Sequence, residues 1–217
     1  MNILRKCVKI YGKWREKRLR ARLGYYAATA FVHPDNYIVG ANLLSIADNS
    51  IIQPGGTIIL TGWGGVKIGR WTDVSYNVTI INSNHVPLVG VPQHLASCKH
   101  LNDRDTLIEI GDDCWVAANV TLLPGSKLNR GCVVGAGALV NKEIPPYAVV
   151  AGVPAKVVAV KFSLEQIIAH EKSIYTVEER FTESYLKDLF SSHYVGKKVI
   201  GSHRPNNEQE RNLKTDI

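Results

Sequence analysis

From residue 68 onwards, aliphatic side chains return at every sixth position: Ile68, Val74 and Ile80, then Ile110, Val116, Leu122, Leu128, Val134 and Val140. An amphipathic helix repeats every three or four residues and a half-buried strand every second one, so neither produces this spacing. The fifth place of successive hexads is Thr, Val, Cys, Val, Ser, Cys and Ala, mostly small. A period of six predicts an all-β solenoid: a parallel β-helix in which each hexad forms a short strand and its turn. Aliphatics point into a narrow core, and Gly or Asn takes the corners that need positive φ. Three hexads close an 18-residue triangular coil, so Ile110 should stack on Leu128, Val116 on Val134, Leu122 on Val140 and Cys114 on Cys132. The two cysteines read as buried free thiols acting as small core residues.

The flanks are less regular. Residues 36–66 read as degraded coils with the glycine-rich stretch "GGTIILTGWGG", and "NKEIPPYAVVAGVPAKVV" ends a solenoid spanning 36–162. Within residues 1–24, Leu4, Cys7, Val8, Tyr11 and Trp14 lie on one face of an amphipathic helix. Ser163-Leu-Glu-Gln166 is a capping box that opens a helix to about Tyr175, and Thr176-Val-Glu-Glu179 opens a second to about Phe190. Residues 163–195 are thus expected to be helical, and the polar segment 196–217 a mobile tail.

Between Ile80 and Ile110 the hexads stop and then resume in the same phase. The interruption begins at His85, before a connection over 86–107 that is too long for a turn. A histidine fixed at the end of a rigid coil beside a long loop is placed to meet a bound substrate, and imidazole titrates in the range a general base needs. The preceding Asn84 either orients the ring or meets the substrate, or is a corner asparagine. His94 and His100, inside the loop, read as ordinary loop residues or as groups that approach the acceptor.

The net charge of +7 is concentrated in one arm: residues 1–24 hold nine Lys/Arg and a single Glu, which leaves the remainder at −1. A body this neutral, without basic residues interleaved with aromatics, does not read as a nucleic-acid-binding domain. The arm has two readings, a helix lying on an anionic membrane surface or one packed on the body or a neighbouring subunit. No stretch is apolar enough to span a bilayer, and the N-terminus stays basic through Arg22 where a secretory signal needs an apolar segment. A cytoplasmic protein is expected.

Taken together, the hexads, the loop after His85 and "GAGALVNKEIPPYAVVAGVPAKVV" resemble the hexapeptide-repeat acyltransferases, especially the sugar and polysaccharide O-acetyltransferases, over roughly 36–162. The resemblance implies a left-handed β-helix, a homotrimer with active sites between subunits, and acetyl-CoA as acyl donor. It assigns His85 as the general base for a sugar hydroxyl. By position, Trp115 matches the tryptophan beside the CoA channel, and Ala118 and Ala136 match positions whose backbone meets the pantetheine arm. Asn141 falls where the family often has threonine, and Lys142 and Lys156 match basic residues near the nucleotide phosphates. The expected function is a CoA-dependent O-acetyltransferase of surface polysaccharide assembly that needs no metal. Alternatives are an antibiotic or amino-acid acetyltransferase, and a β-helix scaffold without activity. A zinc lyase on the same coil is a further option, but it needs three converging histidines, and His94 and His100 lack coil spacing.

Overall fold

The computed structural model describes residues 3–202, side chains from residue 10 onwards. The chain divides into two compact units with the boundary after Val158.

The first unit is a three-faced parallel coil. Along one face run Tyr25–Tyr26, Leu44–Ile46, Val66–Ile68, Ile108–Ile110, Lys127–Leu128 and Glu143–Ile144. The second face carries Phe31–Val32, Ile51–Ile52, Asp73–Val74, Trp115–Val116, Val133–Val134 and Ala148–Ala151, and the third Tyr37–Val39, Thr57–Ile59, Thr79–Ile81, Thr121–Leu122 and Leu139–Val140. The predicted stacking holds: Ile110 pairs with Leu128, Val116 with Val134 and Leu122 with Val140, all in parallel register. Ile68 pairs with Ile110, forty-two residues away, so one coil carries a 24-residue insertion without losing phase.

Each rung turns one aliphatic side chain inward, and all nine hexad positions are buried. Cys114 and Cys132 are buried free thiols. Asn77 and Asn119 occupy corners with φ of 57° and 60°, the left-handed conformation that asparagine tolerates best after glycine.

Three expected boundaries are corrected. The coil begins at Tyr25 rather than residue 36, because its early ladder neighbours lie 20 and 22 residues apart (Tyr26 to Ile46, Ile46 to Ile68) and so escape a search for sixes. The second C-terminal helix does not run on from Thr176: Val177–Glu179 is a single 3-10 turn, and the helix proper is Glu183–His193, capped by Thr182. The tail expected from residue 196 includes a strand, Lys198–Val199, paired in parallel with Ala159–Val160, while 203–217 lies outside the described residues. The Ser163 capping box opens a helix over Leu164–Ile174 as read from sequence.

The N-terminal helix, Ile3–Arg20, is anchored to the first coil by its later turns. Leu19 and Leu23 are buried, Arg15 pairs with Asp35 at 2.6 Å, and Arg20 donates to the Ala27 carbonyl while its guanidinium lies over the Tyr26 ring. Tyr11 and Trp14 stack on each other, more than half exposed. Leu4, Cys7 and Val8 of the expected apolar face lie outside the described side chains.

Candidate active site

The insertion after the third-face strand Thr79–Ile81 is an antiparallel hairpin, Ser83–His85 against Asp103–Asp105, with a short helix, Gln93–Cys98, between its arms. The pairing is Ser83 with Asp105, Asn84 with Arg104 and His85 with Asp103. His85 therefore sits on a strand of its own, not at the bare end of the coil. Side chains alternate across a strand, so Ser83, His85, Asp103 and Asp105 share one face while Asn84 and Arg104 point to the other.

Asn82 ties the base of this hairpin to the preceding coil. Its buried amide accepts from the Thr61 backbone N–H at 2.9 Å and donates to the Thr61 carbonyl at 3.0 Å. Its own carbonyl accepts from the Thr106 N–H. A buried amide that spends its side-chain groups on the N–H and carbonyl of one residue fixes both strands, since leaving either group unpaired would cost the desolvation of that group.

His85 Nδ1 lies 2.6 Å from Asp103 Oδ1, and His100 Nδ1 lies 2.5 Å from Asp103 Oδ2. The two rings are 5.6 Å apart between centroids. These bonds, first from His85 and then from His100, hold the Asp103 carboxyl below the usual carboxylate range. An ionised carboxylate can only accept, so in each neutral ring Nδ1 carries the hydrogen and Nε2 keeps its lone pair. The His85 side chain is 46% exposed, so this lone pair is open to an incoming hydroxyl. The same three side chains are the one His/Cys/Asp/Glu group among the described residues whose ligand atoms cluster closely enough to hold a metal.

One of these residues, Asp103, was not expected in the site, and His100 was expected either as a loop residue or as a group approaching the acceptor. The group orienting His85 is Asp103, not Asn84, and His100 is no ordinary loop residue. The sequence carried a faint signal, the acid-base-acid alternation of Asp103-Arg104-Asp105 just before the hexads resume, but the pairing of a three-residue strand is set by the fold. His94 stays apart, its ring near the Cys98 sulfur.

The expected donor-binding residues are spread along the coil. Trp115 is half exposed on the second face. Ala118 and Ala136 stack at the corner between the second and third faces, where the Ala118 carbonyl accepts from the Gly137 N–H at 3.0 Å. Exposed Asn141 and Lys142 follow Leu139–Val140 at the corner between the third and first faces, the corner from which the His85 hairpin leaves two coils earlier. Lys156 is exposed at the start of Lys156–Val160. Within one chain, His85 and the two alanines thus stand at different corners, separated by the third face.

The parallel coil of hexads is the architecture of a hexapeptide-repeat protein, and the hairpin that interrupts it holds a histidine on a carboxylate. Residues 108–142 match the family described as bacterial transferase hexapeptide (six repeats). The chain is 27% identical over 162 residues to the galactoside O-acetyltransferase of Escherichia coli, covering 66% of this chain and 78% of the relative. It is 34% identical over 126 residues to a putative lipopolysaccharide biosynthesis O-acetyl transferase of Escherichia coli, covering 55% of this chain and 61% of the relative. It is 30% identical over 147 residues to a chloramphenicol acetyltransferase of Agrobacterium fabrum, covering 66% of each. The fold is shared with the hexapeptide-repeat acetyltransferase VCA0836 of Vibrio cholerae in complex with acetyl coenzyme A, with a TM-score of 0.59 at 19% identity, over 68% of this chain and 76% of the other. The chain is similar to the hexapeptide-repeat acyltransferases, sugar O-acetyltransferases among them, and is an acyltransferase.

Proposed function

We propose that this protein transfers an acetyl group from acetyl-CoA to a hydroxyl of a sugar in surface polysaccharide assembly, with His85 as the general base. The observation that carries the reading is the His85–Asp103 bond, which leaves Nε2 as the basic nitrogen on an exposed ring. Nε2 takes the proton of the acceptor hydroxyl as its oxygen attacks the thioester carbonyl. Asp103 keeps the ring in the right tautomer and stabilises the imidazolium that forms. The tetrahedral intermediate collapses by breaking the C–S bond, the departing CoA thiolate takes the proton from Nε2, and the acetyl ester remains on the sugar.

The donor would lie along the coil beside Trp115, with its pantetheine arm against the backbone of Ala118 and Ala136, and its phosphates near Lys142 and Lys156. Asn141 would line the same path by its backbone. Because His85 and the alanines occupy different corners of one chain, the reading requires a neighbouring copy whose corner closes the site. A homotrimer on a left-handed coil, which the resemblance of the hexads implies, would supply that copy. No metal takes part in this chemistry. No helix among the described residues is long and apolar enough to cross a membrane. The reading is of a cytoplasmic enzyme held peripherally at an anionic membrane face by residues 1–24, where exposed Ile10, Tyr11 and Trp14 stand among cations.

The test is His85→Ala, assayed by thiol release from acetyl-CoA with a glycoside acceptor. Turnover should fall by at least about 100-fold, within the range general-base catalysis contributes, while acetyl-CoA binding by calorimetry and the oligomeric mass stay unchanged. Undiminished turnover rejects His85 as the base.

A further inference from the structure

We propose that His85, His100 and Asp103 form a binding site for a divalent transition-metal ion of the zinc class, and that the bound ion switches the enzyme off by reversing the tautomer of His85. The inhibitory half rests on the reading of His85 as the base; the metal site itself does not.

Asp103 stands directly across the hairpin from His85, and the Val86 N–H donates to the Asn102 carbonyl at 3.1 Å, so backbone pairing continues past the pair. His100 reaches the same carboxylate from the turn after the short helix Gln93–Cys98. It does so at φ of +49°, a backbone conformation uncommon for a residue with a side chain. Each imidazole presents Nδ1 to its own oxygen of Asp103, and the ligand atoms of the three side chains all lie within 4.8 Å of one another. Asp105 shares the strand but is engaged elsewhere: its Oδ1 accepts from the Thr61 hydroxyl at 3.2 Å, and its Oδ2 sits against Gly62. The donor set is therefore two nitrogens and one carboxylate, all from one chain.

Zinc holds imidazole nitrogen and carboxylate oxygen at about 2.0–2.2 Å, which in a tetrahedron keeps ligand atoms roughly 3.4 Å apart. The N–O distances of 2.6 and 2.5 Å would have to open by just under about 1 Å. The His85 and His100 side chains are 46% and 66% exposed, so rotation about their own bonds can supply that shift. Two imidazoles and a carboxylate suit zinc, copper, nickel or iron, whereas magnesium and calcium prefer oxygen ligands alone. Three protein ligands leave a fourth position for water.

Which ring atom the metal takes decides its effect on the base. Hydrogen-bonded to Asp103, neutral His85 carries its hydrogen on Nδ1 and leaves Nε2 free. A metal on Nδ1 needs that atom's lone pair, so the hydrogen moves through water to Nε2, with no net release of a proton. Nε2 then holds a hydrogen already and cannot take one from an acceptor hydroxyl. Asp103, now a metal ligand, no longer stabilises the imidazolium.

The experiment uses the full-length protein, stripped with EDTA and exchanged into chelator-free buffer, with zinc chloride as the ion. Calorimetry should find a zinc site that Asp103→Ala and His100→Ala each weaken by at least about tenfold, since even partners outside the ligand shell are worth about 10- to 100-fold. Both variants are first checked for unchanged acetyl-CoA binding. Cys98→Ser should keep the site, which separates it from a chelate of Cys98 with His94, whose ring nitrogens lie 3.7 Å from the sulfur. Saturating zinc should cut acetylation of p-nitrophenyl β-galactoside by at least about tenfold, and EDTA should restore it. Chromatography of the acetylated glycoside is the readout, because the released CoA thiol binds zinc itself. Magnesium chloride at the same concentration should neither bind nor inhibit. Zinc binding unaffected by both alanine variants, zinc binding lost in Cys98→Ser, or equal binding of magnesium overturns the site. Zinc bound at the site with turnover untouched overturns the inhibition and speaks against His85 as the base. If no glycoside is acetylated, the sugar reading and the inhibition fall together, while calorimetry still decides the metal site.

Discussion

Removing the Asp103 side chain tests whether the carboxylate, rather than the hairpin alone, makes His85 a base. In Asp103→Ala both imidazoles lose their acceptor, and His85 is free to rotate and to place its hydrogen on either nitrogen. Losing a group that orients an active-site ring typically costs about 10- to 100-fold in activity. The site is open, with the His85 side chain 46% exposed and Asp103 16% exposed, so water can replace part of the lost bond and the lower end, about tenfold in kcat, is expected. Asp103→Asn keeps one acceptor oxygen for two ring donors and should fall between wild type and Asp103→Ala. KM for acetyl-CoA should not move, because Asp103 is not among the expected donor residues. Thiol-release kinetics and acetyl-CoA calorimetry on the three proteins would measure this. A kcat for Asp103→Ala within twofold of wild type, or a loss confined to KM for acetyl-CoA, would refute the reasoning.

Other consequences are open to measurement. The folded-state pKa of Asp103 is depressed by its bonds to His85 and then His100, so its stabilising contribution is fully present above the unfolded value, near 3.9, and is lost as pH falls through the folded one. The stability difference between wild type and Asp103→Asn in denaturant titrations should accordingly shrink as pH falls below about 4; a difference that persists unchanged at about pH 2–3 would contradict it. Leu122 is fully buried between Ile80 and Val140 in its ladder, so Leu122→Ala should lower unfolding free energy by about 2–5 kcal/mol in the same titrations. The N-terminal helix should bring the protein down with vesicles containing phosphatidylserine at low salt and release it at high salt, with Trp14→Ala weakening the binding. Equal sedimentation with neutral vesicles would exclude a role for the basic face.

The contacts of Asp103 and His100 show where sequence reading stops. His85 was legible because it stood where a strict period failed. Asp103 and His100 were not, since nothing in the order of residues says that a three-residue strand will return antiparallel against Ser83–His85, or that a histidine at φ of +49° will turn its ring to the same carboxylate. That geometry depends on Asn82, whose side chain joins strands twenty-one residues apart. Asp105 is similar: its seat exists only because Gly62, on another coil, lacks a side chain.

By itself the sequence determined the coil from residue 68 to 140, its 18-residue stacking, the buried thiols, the first C-terminal helix and the place where the coil is interrupted. It could do so because a solenoid's neighbours are a fixed number of residues apart, so a one-dimensional period encodes a three-dimensional contact. Tertiary structure alone decided where the coil begins, which carboxylate holds His85, and that His85 and the two alanines of one chain stand at different corners. Those features arise from contacts between segments of irregular length. There the closing of strands and the packing of one side chain against a distant backbone choose the partner, and no local pattern records the choice.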